Sequence, residues 1–192
     1  MKAAIFDLGG VYFKDSVKEI FRMYPISQED LRDLRYVYDE ELLKGKVSAS
    51  KFWEMMSKAT GVSAKVIRDF YFDGLQPIEG VPQLVENLSR RHDLGIISGI
   101  DSERLEYLDK KFGFTKPFSV CVFSCDMKTN KPDEIMYRTA LDRLGLPGEE
   151  CVYTDDNPNY LKPAEKLGMK TILFESPEQL KREMKLLGIE VD

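Results

Sequence analysis

The sequence predicts a doubly wound, Rossmann-like α/β core of parallel strands with an inserted helical subdomain. Three observations carry that prediction. Five short apolar runs are continuous rather than alternating; amphipathic helical patterns lie between them; and one long stretch has helical periodicity with no strand signal. Continuous apolarity marks strands buried on both faces, as in a parallel sheet whose crossover helices cover it. Alternation of such strands with helices is the mark of the doubly wound class.

Taken in order, the predicted strands are Ala3 to Phe6, Leu94 to Ile97, Val120 to Phe123, Cys151 to Tyr153 and Thr171 to Phe174. Pro82 suits the first turn of a helix continued by Leu84, Val85 and Leu88. Leu105, Leu108 and Phe112 form the next apolar stripe. Tyr137, Ala140, Leu141 and Leu144 form another, and Leu180, Met184 and Leu187 the last. Between residues 14 and 79 three helical stripes follow one another: Leu31, Leu34, Tyr38 and Leu42; Phe52, Met55, Met56 and Ala59; Val66, Ile67, Phe70 and Tyr71. Gly45, Gly61 and Gly74 punctuate them, and Ser48 and Ser63 suit helix caps. Residues 1–13 and 80–192 are therefore expected to form the core, and residues 14–79 the helical insertion. Trp53 reads as core of that small bundle.

Composition narrows the function classes. With 192 residues, 43% of them apolar, the chain can bury a sizeable core. A net charge of −5 gives no electrostatic footprint for nucleic acid or an anionic membrane. The start of the chain carries charge within seven residues and lacks a long apolar run, so neither a signal peptide nor a membrane anchor is expected there. Cys121, Cys125 and Cys151 have no metal-type spacing and read as buried thiols of a cytoplasmic protein. His92 is the only histidine, which removes most Ser-His and Cys-His chemistry; among Arg90, Arg91 and Asp93 it reads as solvated. Nothing in the sequence fixes the oligomeric state.

Ligands of doubly wound sheets bind beyond the carboxyl ends of the strands. There the sequence places Asp7 after the first strand and Ser98 and Gly99 after the second. Lys128 and Lys131 follow the third, with Pro132 near a helix start, and Thr154, Asp155 and Asp156 follow the fourth. A helix capped by Asp101 or Ser102 also begins at this edge and can offer N–H groups to an anion. Three aspartates in one place repel, and a divalent cation relieves that repulsion while binding a phosphate oxygen. Lys131 can neutralise a phosphoryl group and Ser98 can donate to it, so the inventory suits phosphoryl transfer with a carboxylate nucleophile. Oxygen donors of this kind favour magnesium. The chain has neither G-x-x-x-x-G-K-[ST] nor G-x-G-x-x-G.

Four stretches resemble the motifs of the haloacid dehalogenase-like hydrolases. They are Ile5 to Val11, Ile96 to Gly99, Lys131 to Tyr137, and Val152 to Asp156 with its continuation to Met169. The resemblance is to the branch with a small helical cap, which includes sugar-phosphatase-like members and the phosphatase domain of soluble epoxide hydrolases. It implies that residues 14–79 are a cap. It makes Asp7 the nucleophile and, with the Gly9 carbonyl and Asp156, a ligand of Mg2+. Asp155 becomes a supporting or alternate ligand, and Ser98, Gly99 and Lys131 the phosphate site. The implied substrate is a small phosphorylated metabolite. Three positions depart from the family pattern. Gly9 replaces the usual acid–base aspartate, a role for which Asp15 or a metal-ordered water is a candidate. Gly99 replaces a frequent asparagine, and Tyr160 replaces a polar residue after the acidic pair. These departures keep open a binding or regulatory protein on the same scaffold; a metal-independent dehalogenase is the other alternative.

Overall fold

The computed structural model describes residues 1–191. β1 (Ala3–Phe6) leads into α1 (Ser16–Met23), α2 (Gln28–Tyr36), α3 (Ala49–Thr60) and α4 (Ala64–Gly74). Then come α5 (Val81–Leu88), β2 (Asp93–Ser98), α6 (Ser102–Phe112), β3 (Val120–Phe123), the one-turn α7 (Ser124–Met127) and α8 (Glu134–Leu144). The chain ends with β4 (Cys151–Asp155), α9 (Pro158–Lys166), β5 (Lys170–Leu173) and α10 (Pro177–Leu186). The strands form one parallel sheet in the order β3-β2-β1-β4-β5. No described helix is long and apolar enough to cross a membrane.

Both faces of the sheet are covered. Ala4, Phe6, Leu94, Ile96, Val152 and Ile172 point into one apolar cluster with α5, α6, α10 and the helical segment after β1. Ala3, Ile5, Ile97, Val122 and Tyr153 point into a second cluster with Met136, Tyr137 and Ala140 of α8 and Leu161 and Ala164 of α9. The two edge strands are less buried than expected: Leu173 of β5 is exposed and Cys121 of β3 is half-buried, each strand having a neighbour on one side only. Local signals end the helices as their chemistry dictates. Gly61, Gly113 and Gly145 take left-handed conformations at the C-termini of α3, α6 and α8, where a β-carbon would be strained.

Several expectations are corrected. α1 lies where no apolar stripe was read. A π-helical segment, residues 37–42, continues α2, so the stripe from Leu31 to Leu42 crosses two helix types. Val66 faces solvent, and Cys121 is only half-buried. His92 is not solvated at its tip: Nε2 is buried without a partner. α8 begins two residues after Pro132, with Asp133 rather than the proline at its N-cap.

The segment from α1 to α4 leaves and rejoins the core through paired strands of backbone. Lys14 N–H donates to Gln76 C=O at 2.9 Å and Ile78 N–H to Tyr12 C=O at 2.8 Å. Three further contacts fasten it. Glu103 on α6 accepts from Trp53 Nε1 at 3.0 Å and from Arg68 Nε at 2.8 Å. Trp53, Tyr71, Phe72 and Tyr107 form a chain of ring contacts across the junction, so Trp53 belongs to the interface as well as the bundle. The buried Ser124 hydroxyl donates to Leu43 C=O and accepts from Ile100 N–H at 2.9 Å.

Ser124→Ala should leave both of those backbone groups without a partner, and a buried unsatisfied group costs about 1–3 kcal/mol. Urea unfolding should show a loss in that range. A change below about 0.5 kcal/mol would mean the hydroxyl is not what joins the two parts.

Candidate active site

The switch point of this strand order lies between β1 and β4, where connections turn to opposite faces of the sheet. Asp7 is the first residue beyond β1, and its N–H donates to Thr154 C=O at 2.9 Å, which sets it beside the end of β4. Asp155 closes β4 and Asp156 follows it, two residues later than the apolar run alone suggested for the strand end. One oxygen from each of Asp7, Asp155 and Asp156 lies within 4.8 Å of the others.

Lys131 enters from the connection between β3 and α8. Its Nζ stands 2.8 Å from Asp7 Oδ1 and 2.6 Å from Asp155 Oδ2, and its side chain is 3% exposed. The Tyr160 ring covers the ammonium from 4.7 Å. Asp155 is fully engaged: Tyr153 and Lys131 share Oδ2, while Asn157 N–H donates to Oδ1 at 2.9 Å. Asp156 is half-buried and lines the cleft, with its carboxylate against the backbone of Gly10. A β-carbon at position 10 would fall on that carboxylate, and Gly10 also has φ of +84°. Two constraints therefore demand glycine there.

The other residues named from sequence are divided. Ser98 ends β2 and is buried, and Gly9 and Gly99 line the same cleft of about 570 Å³ as Asp7, Lys131 and Asp156. Asp101, not Ser102, caps α6: its Oδ1 accepts from Arg104 N–H at 2.9 Å. Asp15 caps α1 through Val17 N–H at 3.2 Å and also lines the cleft. Lys128 lies apart from the cluster, against Gly45 in the link between α2 and α3.

Of the lining residues that no motif marks, two bear directly on the cluster. Asn130 places its side-chain carbonyl where a β-carbon on Gly99 would be, and that oxygen accepts from Lys131 N–H at 2.8 Å. An amide absent at position 99 is thus present in the same space from a segment thirty residues away in sequence. Arg104, the second, is buried on α6 and reaches Gly9. Its spacing of four from Leu108 on the apolar stripe was a readable signal of burial.

One ammonium between two buried carboxylates does not compensate both. Burial, first, and the charge of Asp155 push Asp7 up to about 6, although Lys131 opposes the shift. For Lys131 burial acts downward, but Asp7 and Asp155 outweigh it and raise its pKa, so it stays charged. Three carboxylates and one ammonium leave two negative charges. The donors are hard oxygens gathered within 4.8 Å of one another, the ligand type that magnesium takes. The residues present fit such an ion.

Comparison with known proteins places these observations. A family model described as haloacid dehalogenase-like hydrolase matches residues 7–174. The flavin mononucleotide hydrolase 1 of Arabidopsis thaliana is 27% identical over 65% of this chain and 54% of its own length. Bifunctional epoxide hydrolase 2 of Rattus norvegicus is 25% identical over 96% of this chain but 38% of its own. The chain thus spans about half or less of these two relatives. Among solved structures, a haloacid dehalogenase family enzyme of Bacteroides thetaiotaomicron, in complex with magnesium and inorganic phosphate, aligns with a TM-score of 0.72. Its identity is 20%, covering 92% of this chain and 95% of that one. The L-2-haloacid dehalogenase of Xanthobacter autotrophicus aligns with a TM-score of 0.64 at 20% identity, over 99% of this chain and 84% of that one.

Two outcomes follow from the cluster. Gly10→Ala should cost about 1–2 kcal/mol from the left-handed backbone alone, and more where the new methyl displaces Asp156; equal stability in thermal melts would contradict the packing. The second concerns pH in metal-free buffer. Asp7 has a folded pKa near 6 against 3.8 for the ordinary group. Between those values the folded chain holds a proton that the unfolded chain releases, so the contribution of Asp7 to stability falls as pH rises. The stability of wild type relative to Asp7→Asn should therefore decline from pH 4 to pH 7. A flat or rising difference would contradict the assignment.

Proposed function

The chain belongs to the haloacid dehalogenase-like hydrolases, and from that membership we propose that it is a magnesium-dependent phosphatase acting on a small phosphorylated metabolite. The carrying observation is the pairing of Asp7 with Lys131 at 2.8 Å inside a cluster of three carboxylates at the switch point. In this reading Asp7, Asp156 and the Gly9 carbonyl hold the ion, and Asp155 serves mainly to hold Lys131. Bound there, magnesium supplies charge neutralisation for a phosphate oxygen.

This chain's own residues then do the following. Lys131, Ser98 and the Gly99 N–H hold the phosphoryl oxygens, with the Asn130 amide filling the space beside Gly99. An oxygen of Asp7 attacks phosphorus in line with the ester oxygen, which departs with the bonding pair, leaving an aspartyl-phosphate. Water attacks that intermediate, releases inorganic phosphate and restores the Asp7 carboxylate. Gly9 has no side chain to give the departing oxygen a proton, so esters with good leaving groups are favoured; sugar 1-phosphates and acyl phosphates are of that kind. The helical segment 14–79, taken as a cap on a core of residues 1–13 and 80–192, would set substrate choice from above the cleft. Three free thiols suit a cytoplasmic enzyme.

An aryl phosphate assay in magnesium tests the reading. Activity should vanish with a chelator and fall at least about a thousandfold in Asp7→Asn, as loss of a nucleophile does. Rates across leaving groups should rise steeply as leaving-group pKa falls, and a flat profile would count against the missing acid. Dehalogenation of a 2-haloacid that survives the chelator would replace the phosphatase reading. Magnesium-independent silence towards every ester would favour a binding protein.

A further inference from the structure

Arg104 stands in the first turn of α6, and its side chain is buried at 3% exposure. It lines the cleft that holds Asp7, Lys131 and Asp156, and Nη2 lies 3.5 Å from where a β-carbon on Gly9 would be. Nε and Nη2 are both buried without a hydrogen-bond partner. A guanidinium cannot shed its charge at any working pH, and buried donors of a charged group are costly unless something accepts from them. The Tyr71 ring, 6.0 Å from the guanidinium carbon, covers one side but accepts no conventional hydrogen bond. Asp101 gives its Oδ1 to the backbone N–H of Arg104, and its charge and that of Asp15 attract the guanidinium, yet Nε and Nη2 keep no hydrogen-bond partner.

Position decides what the missing acceptor is. Lys131 reaches Asp7 from the connection into α8, which packs on one face of the sheet; α6 packs on the other, with the helical segment 14–79. Arg104 therefore approaches the cleft from the side of that segment, where the body of a substrate extends once its phosphoryl group sits by Asp7. The planar fork of a guanidinium matches the paired oxygens of a carboxylate or phosphate.

We propose that Arg104 is a specificity residue that receives an oxyanion, a carboxylate or second phosphate, carried by the leaving portion of the substrate. The inference rests on the phosphatase reading and narrows it to esters with two anionic groups.

Matched pairs test it: 3-phosphoglycerate against glycerol 3-phosphate, and glucose 1,6-bisphosphate against glucose 1-phosphate, each with magnesium. Wild type should prefer the doubly anionic member of at least one pair by about tenfold or more in kcat/KM. Arg104→Met should collapse that ratio at least about tenfold, and Arg104→Lys should retain part of it. Equal losses on both members would assign Arg104 to the scissile phosphoryl group and overturn the proposal. So would an unaltered ratio, or no preference in wild type. Should Arg104→Met fail to fold, Arg104→Lys carries the comparison alone. Should wild type hydrolyse none of the esters, the phosphatase reading fails separately. Calorimetric binding of the same pairs to Asp7→Asn then reads the preference directly: a tighter doubly anionic member, lost on adding Arg104→Met and only weakened on adding Arg104→Lys, supports the role, and equal affinities overturn it.

Discussion

Asp7, Asp155 and Asp156 are brought within 4.8 Å of one another with one lysine among them, and the surrounding structure is arranged to tolerate that crowding. Folding places Asp7 and Lys131 almost wholly out of water and Asp155 entirely so, where like charges repel far more strongly than at the surface. Each neighbouring feature bears on this. The Asp7 N–H is tied to β4, Lys131 spans two carboxylates, Tyr153 and the Asn157 N–H take the remaining demand of Asp155, and Gly10 leaves room for Asp156. The three carboxylates and the ammonium sum to a formal charge of −2, a balance that suits a cation.

The helical segment after β1 is fixed over this cluster by few but specific contacts. Glu103 and Ser124 take polar partners from it, and its aromatic rings stack onto Tyr107 of α6. The π-helical turn directs Tyr38 and Asp39 into the cleft, a use such turns often serve where side chains must be re-aimed. α6 is thus shared between three tasks: it holds the helical segment through Glu103, it is capped by Asp101 at the sheet edge, and it carries Arg104 to Gly9.

Much of this was legible in the amino acids. Buried parallel strands are written as continuous apolar runs, so all five were found, and the residues that follow them were found with them. β4 runs on through Thr154 and Asp155, whose backbone pairs with β5 and whose polar side chains carry no apolar signal; Lys131, Tyr153 and the Asn157 N–H satisfy Asp155. α1 was missed because its apolar residues, Val17, Ile20 and Phe21, were too few to stand out beside charged neighbours. Asn130 was illegible for another reason: its proximity to Gly99 depends on how the β3–α8 connection folds back. Arg104 lies four residues before Leu108 on the apolar stripe of α6, and a charged residue on an apolar face is the informative exception.

Cation binding by the acidic cluster is the interaction on which the proposed chemistry depends most directly. Calorimetric titration of metal-free protein with magnesium at pH 7 should give one site per chain, lost in Asp156→Asn while the thermal melt of that variant remains cooperative. Absence of binding, or binding untouched by the substitution, would contradict it.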